Sequence, residues 1–345
     1  MTRPGLSMPR RGFVAGAAAG AVAAVAAGGR RGRAASPDTL RVAEQFGIGY
    51  LPLHVIREQG LVEKHARARG SDVAVEWVRL SGGAALNDAL ISGAVDIAAG
   101  GVTPLLTVWD RTRPSLGVRA ISSLVSMPYY LVTSNPKLGD IADLGPQDKI
   151  ALPSVGVSIQ ARTLQMAAAQ RWGEDQWARL EPYTVTLPHP EATAAILSGS
   201  AGVTAHFSAP PFQNHALAKG SVRRLLSSYD VLGGPTSAIL VWSADRLRSD
   251  RPDAYGAFAA AVEEAVAFVA ADRRAAALTY RRVEDSRIDQ GFLLSILEDP
   301  EIAFTTTPQH TDRYAAFMHR IGAIKARPAG WQDYFFPEAH RLAGS

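Results

Sequence analysis

Apolar residues follow two patterns along the chain from Thr39 onward, and the patterns alternate. Short unbroken apolar runs predict strands at Leu40–Phe46, Val73–Arg79, Val95–Ala98 and Val118–Leu124. Helical spacing between them predicts helices over Leu51–Arg67, Ala84–Ser92 and Thr103–Arg111. A second group repeats the arrangement, with strands at Tyr129–Thr133, Lys149–Leu152, Tyr183–Leu187, Gly202–Phe207 and Val222–Ser227, and helices at Val157–Trp172, Glu191–Leu197 and Pro211–Leu217. Ser237–Trp242 reads as a strand returning to the first group. Beyond it the chain is helical, at Asp253–Ala271, Arg273–Arg282, Asp285–Leu297 and Thr311–Ile324. Strands alternating with helices predict α/β units with parallel strands. About 310 residues beyond residue 36 exceed what one hydrophobic core usually serves. The expectation is therefore two lobes: residues 37–127 with 233–345 as lobe I, residues 128–232 inserted as lobe II, and the helical tail packed on lobe I. Ser126-Met127-Pro128 and Gly233-Gly234-Pro235 are the expected crossings, since each sets turn residues between strand-like runs. Two short crossings make a hinge.

Composition changes this picture mainly at the amino end. Residues 1–36 carry a basic start, an uncharged Ala/Gly/Val run from Gly12 to Gly29, and small residues at Ala34, Ala35 and Ser36, the layout of a cleavable export signal. Arg10-Arg11-Gly12-Phe13-Val14 matches a twin-arginine leader, which serves export of folded proteins. The expected cleavage lies near residues 34–36. Six of the 36 basic residues and none of the 32 acidic ones lie in this segment, so its removal takes the net charge from +4 to −2. The basic excess thus belongs to the leader, and nucleic-acid or polyanion binding draws no support from it. With no cysteine in the chain there is no disulfide, thiolate metal site, cysteine nucleophile or lipid-modifiable Cys. The remaining protein is expected to be a free monomer in the periplasm.

Candidate chemistry sits where predicted strands run into predicted helices. In open α/β sheets ligands bind beyond the carboxyl ends of the strands, and helix starts there present unpaired N–H groups to anions. Phe46-Gly47-Ile48-Gly49-Tyr50, Ser81-Gly82-Gly83 and Gly100-Gly101-Val102-Thr103-Pro104 are three such loops. Pro153-Ser154-Val155-Gly156-Val157-Ser158 repeats the arrangement in the second group and opens the helix that holds Gln160 and Arg162. Arg162 suits a carboxylate or sulfonate, and suits a solvated helix face as well. His206-Phe207-Ser208-Ala209-Pro210-Pro211-Phe212 adds aromatic walls and a ring nitrogen. Of Tyr129 and Tyr130, at the presumed crossing, one is expected to face the crevice. Each loop also reads as a plain turn or cap. Metal, nucleophile-elbow, P-loop and dinucleotide motifs are all missing from the sequence. No cofactor, no metal and no catalytic residue is expected.

The run Ser81–Ala98, SGGAALNDALISGAVDIA, resembles the second-strand helix and third strand of the nitrate/sulfonate/taurine-type substrate-binding proteins of ABC importers. Leu40-Arg41-Val42, the stretch Ile56–Ala66, and Leu197-Ser198-Gly199 through His206-Phe207 extend the resemblance over most of the mature chain. It implies the two-lobe periplasmic-binding-protein type 2 fold, an ABC permease and ATPase as partners, and a small, often anionic solute such as a sulfonate or carboxylate. It further implies ligand contacts at Gly47–Tyr50, Ser81-Gly82, Val102-Thr103, Val155–Ser158 and His206-Phe207. A sensor for a membrane receptor would look the same in sequence. The fold also resembles a thiamine-pyrimidine precursor synthase that depends on a cysteine-rich motif, which this chain lacks.

Overall fold

The strands collect into two separate sheets in the computed structural model, which describes residues 38–345; the leader lies outside the described residues. In chain order the first lobe begins β1 (Asp38–Glu44), α1 (Leu51–Gln59), α2 (Leu61–Ala68), β2 (Val73–Arg79), α3 (Gly83–Ile91), β3 (Ile97–Gly100), α4 (Val102–Thr112) and β4 (Arg119–Ser126). The chain then enters the second sheet with β5 (Tyr130–Thr133), β6 (Ile150–Leu152), α5 (Ile159–Trp172), β7 (Thr184–Thr186), α6 (His189–Ser198), β8 (Ala205–Phe207), α7 (Phe212–Leu217) and β9 (Arg223–Ser227). After a short α8 (Ser228–Leu232) it returns as β10 (Ser237–Ser243), followed by α9 (Asp245–Asp250), α10 (Pro252–Ala271), α11 (Arg273–Val283), α12 (Gln290–Leu297), β11 (Ala303–Phe304) and α13 (Thr311–Arg320). The sheet orders are β11-β4-β10-β3-β1-β2 and β7-β6-β8-β5-β9. This is the two-lobe α/β architecture, with one lobe inserted in the other.

The expectation of parallel strands holds only in part. β1 is parallel to β2 and β3, and β6 to β7 and β8, but β10 runs antiparallel to β3 and β4, and β5 antiparallel to β8 and β9. The cause is the lobe crossing. A parallel neighbour needs a crossover helix, whereas β5 and β10 each enter a sheet directly from the other lobe. They start at the end where the helix-linked strands finish, and so run opposite to them.

Local residue chemistry moves several element ends. The helix predicted over Leu51–Arg67 is two helices, because Gly60 sits at φ 60° between them. The helix predicted from Asp285 starts at Gln290, where the Asp289 side chain accepts from the Phe292 N–H at 2.9 Å. Gly322, at φ 73°, follows the early end of α13. The tail also does more than cover one lobe. α10 and α11 pack on α1 of lobe I, while α13 packs on α4 and on α5 of the inserted lobe. Trp242 at the centre of the first sheet and Phe207 in the second are fully buried.

Candidate functional site

The strand ends that lead into helices face one another across a crevice between the two sheets. Gln45, Phe46 and Gly47 follow β1, Gly83 opens α3, and Gly101 and Pro104 stand at the start of α4. From the other side come Pro153, Ser158, Ile159 and Gln160 around the start of α5, His189 at the start of α6, and Ala209 and Pro210 after β8. Tyr50, Met127, Tyr129 and Ile239 close the floor. The room left for water-sized molecules is about 30 Å³, enough for one or two of them, so the lobes stand closed on each other. Gly49 permits that floor, since a Cβ there would lie 2.8 Å from both Ile239 and Met127 side chains.

The lobes touch around this space. Ile48 donates its N–H to the Pro210 carbonyl at 3.0 Å, and the Thr103 hydroxyl donates to the Val157 carbonyl at 2.7 Å. A Cβ on Gly82 would stand 2.5 Å from the Pro153 carbonyl oxygen, and one on Gly101 would stand 3.0 Å from Ile159 Cβ. Farther out, the Thr163 and Tyr314 hydroxyls are 2.7 Å apart. If the Thr103 bond helps hold the lobes together around a solute, Thr103→Val should weaken solute affinity about fivefold, the equivalent of one ordinary hydrogen bond. Isothermal titration of wild type and variant with one solute checks this.

The polar groups of the crevice are neutral. His189 Nδ1 lies 3.0 Å from His206 Nε2, and His189 Nε2 lies 3.3 Å from the Gln160 amide nitrogen. Burial pushes the His189 ring down to about 3, and burial together with the neighbouring His189 pushes His206 well below its ordinary value. Phe212 stacks on His189 with ring centres 5.7 Å apart. Ser158 donates to the Ser154 carbonyl at 2.7 Å and caps α5 by accepting from the Ala161 N–H. Burial raises the Tyr50 and Tyr129 phenols, so both stay protonated.

Behind Phe46 lies a compact charge network. The Arg79 guanidinium stacks 4.9 Å from the Phe46 ring centre. It donates to Glu44 Oε1 at 3.0 Å and to both Glu284 oxygens at 2.9 and 2.6 Å. His54 Nε2 completes the group, 3.1 Å from Glu284 Oε1 and 3.6 Å from Glu44 Oε2. Burial raises the Glu44 carboxyl above its ordinary value. Burial acts the same way on Glu284, but hydrogen bonds and charge from His54 and Arg79 outweigh it and hold Glu284 at about 2. Glu44, His54 and Glu284 bring their ligand-type atoms within 4.8 Å of one another, as a metal site would. Arg79 already engages both carboxylates, which makes the group an ion-pair network.

The residues singled out in the sequence divide into three groups. Phe46, Gly47, Tyr50, Tyr129 and Ser158 line the crevice. Gly82, Thr103, Val157 and the backbone of Ile48 form lobe-to-lobe contacts beside it. The others stand off it: the Ile48, Val102 and Phe207 side chains are core, His206 is buried behind His189, and Ser81, Val155 and Gly156 lie outside the lining. Arg162 turns away, donating to Gln165 Oε1 at 2.8 Å, with burial lowering its pKa. Gln45, Gln160, His189, Met127 and Ile239 line the crevice without having been singled out. For His189 a signal existed: Pro188 and Pro190 flank it directly after β7, and proline at a helix start marks a strand-to-helix junction.

No family model matches the sequence, and no curated protein matches it either. Solved structures do. The fold is similar to the alkanesulfonate-binding protein SsuA of Xanthomonas axonopodis pv. citri bound to MOPS, with 18% identity, a TM-score of 0.66, and 85% of this chain and 96% of that one covered. The periplasmic aliphatic sulphonate binding protein SsuA of Escherichia coli matches at 18% identity and TM-score 0.62, over 87% of this chain and 92% of that one. The periplasmic nitrate-binding protein NrtA of Synechocystis PCC 6803 matches at 14% and 0.64, over 89% and 86%. The chain therefore has the fold of the periplasmic solute-binding proteins of ABC importers, as the resemblance of Ser81–Ala98 anticipated.

Proposed function

We propose that this protein is the periplasmic solute-binding component of an ABC importer, which captures a small organic solute between its lobes and hands it to a membrane permease. The observation that carries this reading is the crevice: both lobes line it, and hydrogen bonds join them at its rim. A solute that touches both lobes stabilises the closed state over the open one, which a permease can recognise; a solute binding both states equally would shift nothing. Lobe I spans residues 37–127 with 233–345, and lobe II residues 128–232. Residues 1–36 act as a twin-arginine leader, and the protein works as a monomer. The similar sulfonate- and nitrate-binding structures support the role. The test is to incubate the chain from Pro37 with solutes that raise its melting temperature and assay their chemical fate. Capture requires that each solute is recovered unchanged. Conversion of the bound solute would replace this reading with an enzymatic one.

A further inference from the structure

We infer that the crevice takes an uncharged, planar solute bearing both hydrogen-bond donors and acceptors, and not a sulfonate, carboxylate or nitrate anion. The inference deepens the capture reading and rests on it.

Three observations carry it. First, the described residues that line the crevice include no Lys, Arg, Asp or Glu. Their polar side chains apart from the tyrosines are Gln45, Ser158, Gln160 and His189, and His189 and the His206 behind it are too deeply buried to charge. Second, two groups at the rim that would attract an anion are met by oxygen from the opposite lobe. Ile48 N–H is bonded to the Pro210 carbonyl, the Thr103 hydroxyl to the Val157 carbonyl, and the Pro153 carbonyl stands over Gly82. Third, the Arg79 guanidinium lies behind Phe46 and is already engaged by two carboxylates, so its charge is spent there. An anion here would lose its hydration without gaining a compensating cation. The walls suit a flat ring instead: Phe46, Tyr50 and Tyr129 supply aromatic surface. Each of the two glutamine amides offers a donor and an acceptor, the equipment that fixes a neutral amide or heterocycle.

The experiment compares two panels on the chain from Pro37, which forms one compact unit. One panel holds uncharged planar amides and heterocycles, cytosine, nicotinamide and benzamide among them; the other holds nitrate, methanesulfonate and benzoate. The expected result is a rise in melting temperature of roughly 4 °C or more with a member of the uncharged panel at a hundredfold excess over its Kd, and none with the anions. Gln160→Ala and, as a second variant, Gln45→Ala should each weaken that binding about tenfold. Binding of an anion, lost in the same variants, would overturn the inference and leave the capture reading standing. Failure of both panels would overturn the two together.

Discussion

Arg79→Met is expected to lower the unfolding free energy by about 2–4 kcal/mol, below the full cost of breaking a wholly buried pair because this guanidinium is 27% exposed. The melting temperature should fall by roughly 5–10 °C. The loss arises because Glu44, 2% exposed, and Glu284, 13% exposed, would lose the guanidinium that hydrogen-bonds them both, leaving His54 as their close partner. The effect should carry a pH signature. Glu284, held at about 2 in the folded protein against about 4.5 unfolded, contributes stability that is present above pH 4.5 and is lost as pH falls toward 2. Glu44 acts in the opposite sense, since its raised pKa means that its ionised form costs stability, a cost relieved by acid. Without Arg79 the Glu284 shift shrinks, so the variant should lose less stability than wild type between pH 4.5 and 2. Urea unfolding of both proteins across that range measures it. Equal acid sensitivity would mean that Arg79 does not set the Glu284 shift.

This network was not legible in the sequence, because its members are separated by long stretches of chain and no motif spacing relates Glu44, His54, Arg79 and Glu284. The strand and helix pattern was legible because each element's periodicity is local; the antiparallel entries of β5 and β10 were not, because they follow from how the chain passes between lobes. The same division holds in the crevice. Loops such as Phe46–Tyr50 were readable as strand-to-helix junctions, and Phe46, Gly47 and Tyr50 line the space. Ile48 and Val102, in the same kind of loop, face the core, since successive side chains of a helix start fan round its axis and one side of that axis is packed. Met127 and Ile239 carried no signal of their own; a floor residue is defined only once two elements distant in sequence meet. The expectation of an anionic solute came from helix starts viewed singly; that the Pro210 and Val157 carbonyls of the opposite lobe meet Ile48 and Thr103 could not be read there, because those residues are distant in sequence.

Gly82→Val is expected to reduce solute affinity about a hundredfold while leaving the lobes folded, because it penalises the closed arrangement alone. Gly82 has an extended backbone, φ −176° and ψ 167°, which valine adopts without strain. Its added Cβ would stand 2.5 Å from the Pro153 carbonyl oxygen of the other lobe, a backbone atom that cannot rotate aside. Separation of the lobes relieves the clash. Calorimetric titration, with the melting temperature of the unliganded variant as a control for folding, reads the effect. Wild-type affinity in this variant would show that the Gly82–Pro153 approach is not needed for binding.

The most direct test of capture between lobes is their separation in solution. The chain has no cysteine, so spin labels placed through Asp88→Cys on α3 and Glu191→Cys on α6, both exposed positions, report one distance, readable by pulsed electron resonance. Capture between lobes predicts a mixed distance distribution that collapses to its short component when a binding solute is added, and that stays long in the Gly82→Val background. A single distribution that does not respond to a solute bound in the crevice would contradict it.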